Sequence, residues 1–210
     1  MTTDSLMMDE ASSVLAGVDL LRIVRINEEI KRVVGVSFKI NIMALNAIFL
    51  AKRAGTAARG FGVLSNELRV FSQDLRTSME ALTGLIYGCV NAVSVGLQDM
   101  RYARLLDEAS ALASDASVLA VLRRRQAQNA VHAATLSSLR GKLKRALEDA
   151  FQLVELGGVL AKSAKIEAAY GQAFAGALAQ VSGEFDHVVE EIRDSLESLR
   201  RSAFFTANRG

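Results

Sequence analysis

The chain contains no proline in 210 residues, and this absence limits what it can fold into. Proline is common in loops and interrupts helices, so a long chain without it favours few and very long helices. Apolar residues make up 50% of the chain and aromatic residues 6%, which is typical of helical bundles with aliphatic cores. The composition therefore predicts an all-α protein.

Two neighbouring stretches carry core-type residues at alternating intervals of three and four, which is the spacing of a coiled-coil seam. In the first stretch, from about residue 12, the seam consists of Ile23, Ile26, Ile30, Val33, Ser37, Ile40, Ala44, Ala47 and Ala51. In the second stretch it consists of Phe61, Leu64, Leu68, Phe71, Leu75, Ser78, Leu82, Leu85, Cys89 and Ala92. Because the first seam shrinks from Ile to Ala, we expect the helices to approach closely near residue 51.

Gly55 lies between the two stretches and directly follows a basic last turn. Glycine adopts the left-handed backbone conformation at low cost, so it commonly ends a helix. A turn as short as residues 54–58 makes the helices on either side antiparallel neighbours. Residues 1–112 are therefore predicted to form a first helical hairpin.

Residues 113–210 are predicted to form a second helical hairpin. Its helices are expected at about 118–170 and 177–203, joined by a turn near 171–176, where glycines lie on both sides. The pair Gly157-Gly158 falls inside the third helix and is expected to loosen it locally, because glycine has a low helix propensity.

The second half of the sequence repeats the first with a shift of 117 residues, the distance from Glu67 to Glu184. Seven seam residues of the second helix, from Phe61 to Leu82, correspond in this way to Leu178, Val181, Phe185, Val188, Ile192, Ser195 and Leu199. Any two heptad helices align in their seams, but Arg76 and Glu80 also correspond to Arg193 and Glu197. We interpret the pattern as an internal duplication.

Two hairpins that each carry one apolar seam can bury both seams only against each other. The sequence therefore predicts a long antiparallel four-helix coiled-coil bundle formed by two hairpins of one chain. The fourth helix ends early, which leaves the uncharged segment 81–98 of the second helix as a candidate surface for weak self-association.

Residues 38–69 match a known signature at many positions, namely Phe38, Asn41, Ile42, Ala44, Leu45, Asn46, Ala47, Ala51, Arg53, Ala54, Gly55, Arg59, Gly60, Phe61, Val63, Glu67 and Arg69. With these residues the stretch resembles the signalling tip of bacterial methyl-accepting chemotaxis receptors. Three positions depart from the receptor signature. Leu50 replaces a glutamate, Lys52 replaces an alanine, and Thr56 replaces the glutamate after the turn glycine.

The resemblance implies a cytoplasmic signal-transduction protein that acts through contacts of this tip. The implied partners are the chemotaxis histidine kinase CheA, the adaptor CheW or the tips of receptors. The implied contact residues are Phe38, Asn41, Asn46, Phe49, Leu50, Arg53, Arg59, Phe61, Glu67 and Arg69. Receptors form dimeric four-helix bundles, so the second hairpin is interpreted as taking the place of the dimer partner, which predicts a monomeric pseudo-dimer.

The resemblance also suggests a regulator or decoy, because the remaining residues leave no room for a sensor segment. Receptors are methylated on paired glutamates with small neighbours, whereas Glu28-Glu29 and Glu190-Glu191 have bulky or charged neighbours. Methylation is therefore not expected. The alternative function is a structural or oligomerising coiled coil unrelated to chemotaxis.

Enzymatic function, cofactors and metal ions are not expected from the sequence. Glu184 and His187 have the spacing of a di-iron ligand pair, but the chain lacks the second such pair. Cys89 occupies a seam position and is read as a core residue. The net charge of +2 does not favour nucleic-acid binding. The polar residues and glycines of 81–98 favour a buried helix over membrane insertion.

Overall fold

The computed structural model describes residues 3–112 and 116–202, with the side chains of residues 3–16, 19, 109–112, 116–119 and 126 left undescribed. Its four helices are α1 (Thr3–Ala54), α2 (Arg59–Leu112), α3 (Ala116–Ala168) and α4 (Ala175–Arg200). Two short 3-10 segments, Gly55–Ala58 and Gln172–Phe174, follow α1 and α3. No strand occurs in the described ranges, which confirms the all-α prediction. Helix α1 begins at Thr3, upstream of the expected start near residue 12.

The fold consists of two compact units. Unit 1 contains Gly84–Leu143 and the start of α1 up to Ile26, and unit 2 contains Asn27–Thr83 and Lys144–Ser202. Helices α1, α2 and α3 each contribute residues to both units, whereas α4 lies in unit 2.

The seam predicted for α1 is buried along its whole length, from Ile23 to Ala51. In unit 2 this seam packs against α2, where the hydroxyl of Ser72 donates a hydrogen bond of 2.9 Å to the carbonyl oxygen of Ser37. Near the turn, a Cβ atom on Gly62 would lie 3.3 Å from Cβ of Ala51, tighter than most Cβ contacts. Small seam residues thus allow the close approach of the two backbones that the sequence predicted.

The seam predicted for α2 is confirmed at seven of its ten positions, which include Phe71 and Ala92. Every second predicted position is fully buried, namely Phe61, Leu68, Leu75, Leu82 and Cys89. A further buried row lies one residue beyond the intervening predicted positions and consists of Ser65, Ser72, Met79, Ile86 and Val93. Phe71 and Ala92 are buried beside Ser72 and Val93. Of the predicted intervening residues, Leu64, Ser78 and Leu85 are only half-buried.

At Ser65 and Ser72 the row accepts serine because the two helices lie close together there. The hydroxyl of Ser65 donates to the carbonyl oxygen of Phe61 at 2.7 Å, and Ser72 bonds across to α1, so both buried hydroxyls are satisfied. Sequence reasoning had favoured the neighbouring Leu64 for its hydrophobicity.

Gly157 is a packing contact between α2 and α3, not a point of loosening. Helix α3 continues through it without interruption from Ala116 to Ala168. A Cβ atom on Gly157 would lie 2.5 Å from Cζ of Phe71, so the phenyl ring occupies the space that a side chain would need. The expectation that this glycine loosens the helix is wrong, because close packing replaces the side chain it lacks.

Ion pairs connect α4 to both α3 and α1 in unit 2. The guanidinium of Arg193 on α4 pairs with Glu155 on α3, with a hydrogen bond of 3.1 Å from Nε to Oε1. On the other side, Arg32 Nη2 on α1 donates to Oε1 of Glu191 on α4 at 3.1 Å. These exposed pairs contribute little energy, about 0–1 kcal/mol each, but they identify which helices are neighbours.

The buried positions of α1 recur in α3 at the same shift of 117 residues that relates the two halves of the sequence. The α1 positions from Ile26 to Ala51 correspond to Leu143, Leu147, Ala150, Val154, Gly157, Ala161, Ala164 and Ala168, and each is buried. The turns correspond as well. Gly55 has a φ of 70°, and the equivalent residue, Gln172, is the only described non-glycine residue with positive φ, at 50°.

Within the described residues, Leu20–Glu108 contains one apolar window that is long enough to cross a membrane, and 33% of that window is buried in the fold. The core helices of soluble proteins satisfy the same criteria of length and composition.

Candidate protein-contact site at the first turn

The first turn joins α1 to α2 through the 3-10 segment Gly55–Ala58. Gly55 takes the left-handed conformation with a φ of 70°, which glycine adopts without the steric cost of a side chain. Lys52 and Arg53 lie in the last turn of α1, where their charges interact favourably with the negative end of the helix dipole. The residues that flank this turn form the site.

An exposed row of apolar side chains runs along α1 toward the turn. Its members lie at intervals of four, three and four residues, and between 43% and 64% of each side chain is exposed: Phe38, Ile42, Leu45 and Phe49. Residues three and four apart share one face of a helix, so the four side chains form a continuous stripe. Val63, on the first turns of α2, is also exposed. We call these five residues the tip surface.

The structure exposes most of the predicted contact residues. Phe38, Asn46, Phe49, Arg53, Arg59 and Glu67 are exposed, and Asn41, Leu50 and Arg69 are half-buried. Ile42, Leu45 and Val63 are exposed too but were absent from the predicted contact set. The signal that could have found them is that all three are apolar and lie outside the seams.

Phe61 does not fit the contact role that was assigned to it. Its side chain is 0% exposed and forms part of the core beneath the turn. It begins the buried row of α2, so a partner at the surface cannot reach its ring. The residue therefore supports the site through packing.

A groove of about 540 Å³ lies beside the turn in unit 2. Ile48 and Lys52 line it from α1, Thr56 from the 3-10 segment, and Arg59 and Val63 from α2. Two of the three departures from the receptor signature, Lys52 and Thr56, thus line this groove.

The segment that carries the tip surface is basic, although the carboxylate of Glu167 on α3 lies beside Gly60. Residues 38–69 contain five basic residues, Lys39, Lys52, Arg53, Arg59 and Arg69, and one acidic residue, Glu67. Basic residues on a segment that carries an apolar stripe favour a partner whose complementary surface is acidic at its rim.

The candidate metal ligands lie on the protein surface, and the candidate nucleophile lies in the core. Glu184 and His187 are both exposed on α4, and the described residues contain no group of three His, Cys, Asp or Glu side chains that could hold a metal ion. Burial raises the pKa of the Cys89 thiol, an effect that the charge of Arg140 partly opposes. The thiol is therefore held in its neutral form in the core.

Sequence comparison finds relatives over part of the chain. A stretch of 72 residues is 38% identical to methyl-accepting chemotaxis protein IV of Escherichia coli and covers 34% of this chain and 14% of that protein. A stretch of 100 residues is 32% identical to the methyl-accepting chemotaxis protein PctB of Pseudomonas aeruginosa and covers 45% and 16%, respectively. A third, of 62 residues, is 40% identical to methyl-accepting chemotaxis protein I of Escherichia coli and covers 30% and 11%.

The matched stretches thus span 11% to 16% of the length of these curated relatives. No protein-family model matches the chain. Several receptors of one type nevertheless match at 32% to 40% identity, and this agrees with the resemblance of residues 38–69. The chain contains a domain similar to those of methyl-accepting chemotaxis proteins.

Proposed function

We propose that this protein is a chemotaxis signal-transduction protein that acts through protein–protein contacts of its first turn. The observation that carries the proposal is the tip surface. Exposed apolar side chains in a continuous stripe are unusual on a helix that already buries its seam, and such stripes mark interaction sites. The stripe lies in the segment that resembles the receptor signature.

The partners we propose are CheA, CheW or the tips of receptors, in the cytoplasm. A protein that offers a similar contact surface would compete with receptors for these partners and act as a regulator or decoy. In this role Phe38 and Phe49 are the apolar anchors, since large aromatic side chains supply most of the binding energy of such interfaces. Arg53 and Arg59 would form the charged rim around them.

We further propose that unit 2 is an antiparallel four-helix bundle in which the second hairpin replaces the dimer partner of a receptor. The support is a chain of neighbours: α1 with α2 through Ser37 and Ser72, and α2 with α3 through Phe71 and Gly157. Helix α4 completes the set through its ion pairs with α3 and α1. The repeated burial pattern supports the same arrangement.

A binding assay with immobilised CheW and CheA from the same organism tests the proposed function. We expect Phe49→Asp to weaken capture about tenfold or more, because it places a charge in the centre of the apolar stripe. The matched control is Leu21→Asp, which changes an exposed α1 residue in unit 1. Retention that is equal for wild type and both variants, or absent for wild type, would contradict the proposal.

Leu50→Glu restores the residue that the receptor signature has at this position. If the departure lowers affinity for the kinase and adaptor, this variant binds more tightly than wild type, and the decoy role gains support. If all forms fail to bind but sediment as oligomers, the alternative of a structural, oligomerising coiled coil is favoured. Residues 81–98 remain the proposed surface for weak self-association, and Tyr87 is its exposed large side chain.

A further inference from the structure

Helices α2 and α3 lie side by side and antiparallel in unit 1. The carboxylate of Asp99 on α2 is buried and accepts a hydrogen bond of 2.7 Å from Nη1 of Arg125 on α3. A Cβ atom on Gly88 would lie 3.4 Å from Cδ2 of Leu139. Position 99 thus neighbours 125, whereas position 88, earlier in α2, neighbours 139, later in α3. The exposed sides of the two helices therefore adjoin in one surface.

The α3 part of this surface is basic. Residues 116–143 contain no aspartate or glutamate and five basic residues, namely Arg123, Arg124, Arg125, Arg140 and Lys142. Arg124 and Lys142 are both exposed on the same side of α3, because the 18 positions from 124 to 142 make five turns of an α-helix. They are about 27 Å apart along the helix axis. The exposed residues at helical spacing between them carry no charge: Gln128, Val131, Thr135 and Ser138.

Exposed apolar groups lie next to these basic groups. The guanidinium carbon of Arg125 lies 5.4 Å from the centre of the Tyr102 ring on α2. Tyr102 is 53% exposed, and Leu105, one turn further along α2, is 55% exposed. Val121 is exposed on α3, one turn before Arg125. We give the name α2–α3 face to the six exposed residues Tyr102, Leu105, Val121, Arg123, Arg124 and Lys142.

The acidic residues of this part of α2 are compensated within the fold. Asp99 is buried with Arg125, and Glu108 accepts a hydrogen bond of 3.1 Å from Nε of Arg104. Asp107 also has an interaction partner. The uncompensated charges are therefore positive, since three basic residues form no ion pair with a described residue: Arg123, Arg124 and Lys142.

We propose that the α2–α3 face binds an anionic phospholipid surface. Its three cations attract the lipid phosphates, as clusters of basic residues do at anionic membranes. Tyr102, Leu105 and Val121 enter the boundary between headgroups and acyl chains, where tyrosine is favoured because its ring is apolar and its hydroxyl is polar. A nucleic acid also offers phosphates, but it would leave Leu105 and Val121 in water. Unit 1 lies on the bilayer in this arrangement and does not cross it.

Co-sedimentation of the full chain with phospholipid vesicles tests this proposal, which does not depend on the contacts of the tip surface. Vesicles made from an equal mixture of phosphatidylcholine and phosphatidylserine are compared with vesicles of phosphatidylcholine alone. We expect binding to the mixed vesicles to be about tenfold tighter or more, because only they attract the three cations. Equal binding to both kinds of vesicle, or no binding to either, would overturn the proposal.

The double variant Arg124→Glu/Lys142→Glu tests the location of the site. Both side chains are exposed, so the fold is retained, and circular dichroism checks this. We expect the variant to bind the mixed vesicles about thirtyfold more weakly or worse, because two attractive charges become repulsive. The matched control is Lys39→Glu/Lys162→Glu, which makes the same change of net charge at two exposed residues of unit 2. An equal loss in both double variants would show that net charge alone matters, and the assignment would be wrong.

Leu105→Ser distinguishes a lipid surface from another polyanion. We expect it to weaken binding to the mixed vesicles about threefold or more, because less apolar surface leaves water on docking. Duplex DNA is the competing probe, and it should not displace the mixed vesicles from the wild-type protein. If Leu105→Ser binds the vesicles as wild type does, or if duplex DNA displaces them, the face recognises phosphate charge alone and the lipid assignment fails.

Discussion

At the scale of single residues, two positions show how the backbone restricts the choice of side chain. Gly157 lacks a side chain because the ring of Phe71 fills its place. Gln172 holds the left-handed conformation that its counterpart Gly55 holds, although a non-glycine residue pays for it. At position 157, glycine is the residue that fits the available space. At position 172, glycine would fit the backbone conformation better than the glutamine that is present.

Gly157→Ala should destabilise the protein by about 1–3 kcal/mol, because the new Cβ overlaps with Phe71 and forces the core to shift. Gly158→Ala is the matched control, since its Cβ would meet only Val189 at 4.0 Å. The control should be neutral or stabilise α3 by about 0.5–1 kcal/mol through helix propensity. Urea unfolding followed by circular dichroism measures both values, and equal effects of the two substitutions would refute the proposed packing.

Gln172→Gly should stabilise the protein by about 0.5–1 kcal/mol. The substitution removes the cost of the left-handed conformation, which is about 1–2 kcal/mol for a non-glycine residue. Part of this gain is lost because glycine loses more backbone entropy than glutamine on folding. The side chain of Gln172 is exposed, so little contact is lost, and Gln172→Ala should leave the free energy of unfolding nearly unchanged. A Gln172→Gly protein that is less stable than wild type in urea would show that the turn does not need glycine.

At the scale of elements, helix α2 shows that burial follows the width of the gap as well as hydrophobicity. Its buried rows alternate at intervals of four and three from Phe61 to Val93. Where α2 lies close to α1, small Ser65 and Ser72 occupy the seam and larger Leu64 is partly exposed. Farther along, Met79 and Ile86 continue the same row.

Met79→Ala and Leu64→Ala distinguish the observed register of α2 from the one read from the sequence. Met79 is fully buried, so its truncation should cost about 2–5 kcal/mol through lost burial and a cavity. Leu64 is half-buried, so Leu64→Ala should destabilise the protein less. The expected loss is near the typical value of about 1 kcal/mol for a point substitution. Chemical denaturation measures the free energy of unfolding of both variants, provided that the m-value is unchanged. A larger loss of this free energy for Leu64→Ala than for Met79→Ala would support the register predicted from hydrophobicity alone.

At the scale of the whole molecule, both halves of the sequence contribute to each compact unit. Unit 2 takes Asn27–Thr83 from the first half and Lys144–Ser202 from the second. The seam of α1 and α2 is therefore completed by residues of the second half of the sequence, such as Gly157, which packs against Phe71. The repeat of burial at a shift of 117 fits a duplicated hairpin whose copies pack together.

Residues 1–112 expressed alone should form dimers, because the seam that α3 and α4 cover in the full chain would be exposed. The full chain should be a monomer of 22.6 kDa, since it supplies its own second hairpin. Light scattering coupled to size exclusion distinguishes the two states. A stable, folded monomer of residues 1–112, or an obligate dimer of the full chain, would contradict the proposed pseudo-dimer.

The sequence by itself determined the helical class, the seam of α1 and the exposed character of the first turn. These properties depend on local periodicity and on glycine, and both can be read along the chain. Only the tertiary structure decided that Ser72 is buried beside Phe71, that Phe61 is inaccessible, and that Gly157 packs against a ring. It also brought the carboxylate of Asp99 within 2.7 Å of Arg125 Nη1 and within 3.2 Å of His132 Nε2. Each of these depends on the distance between helices far apart in sequence, which single-sequence periodicity does not contain.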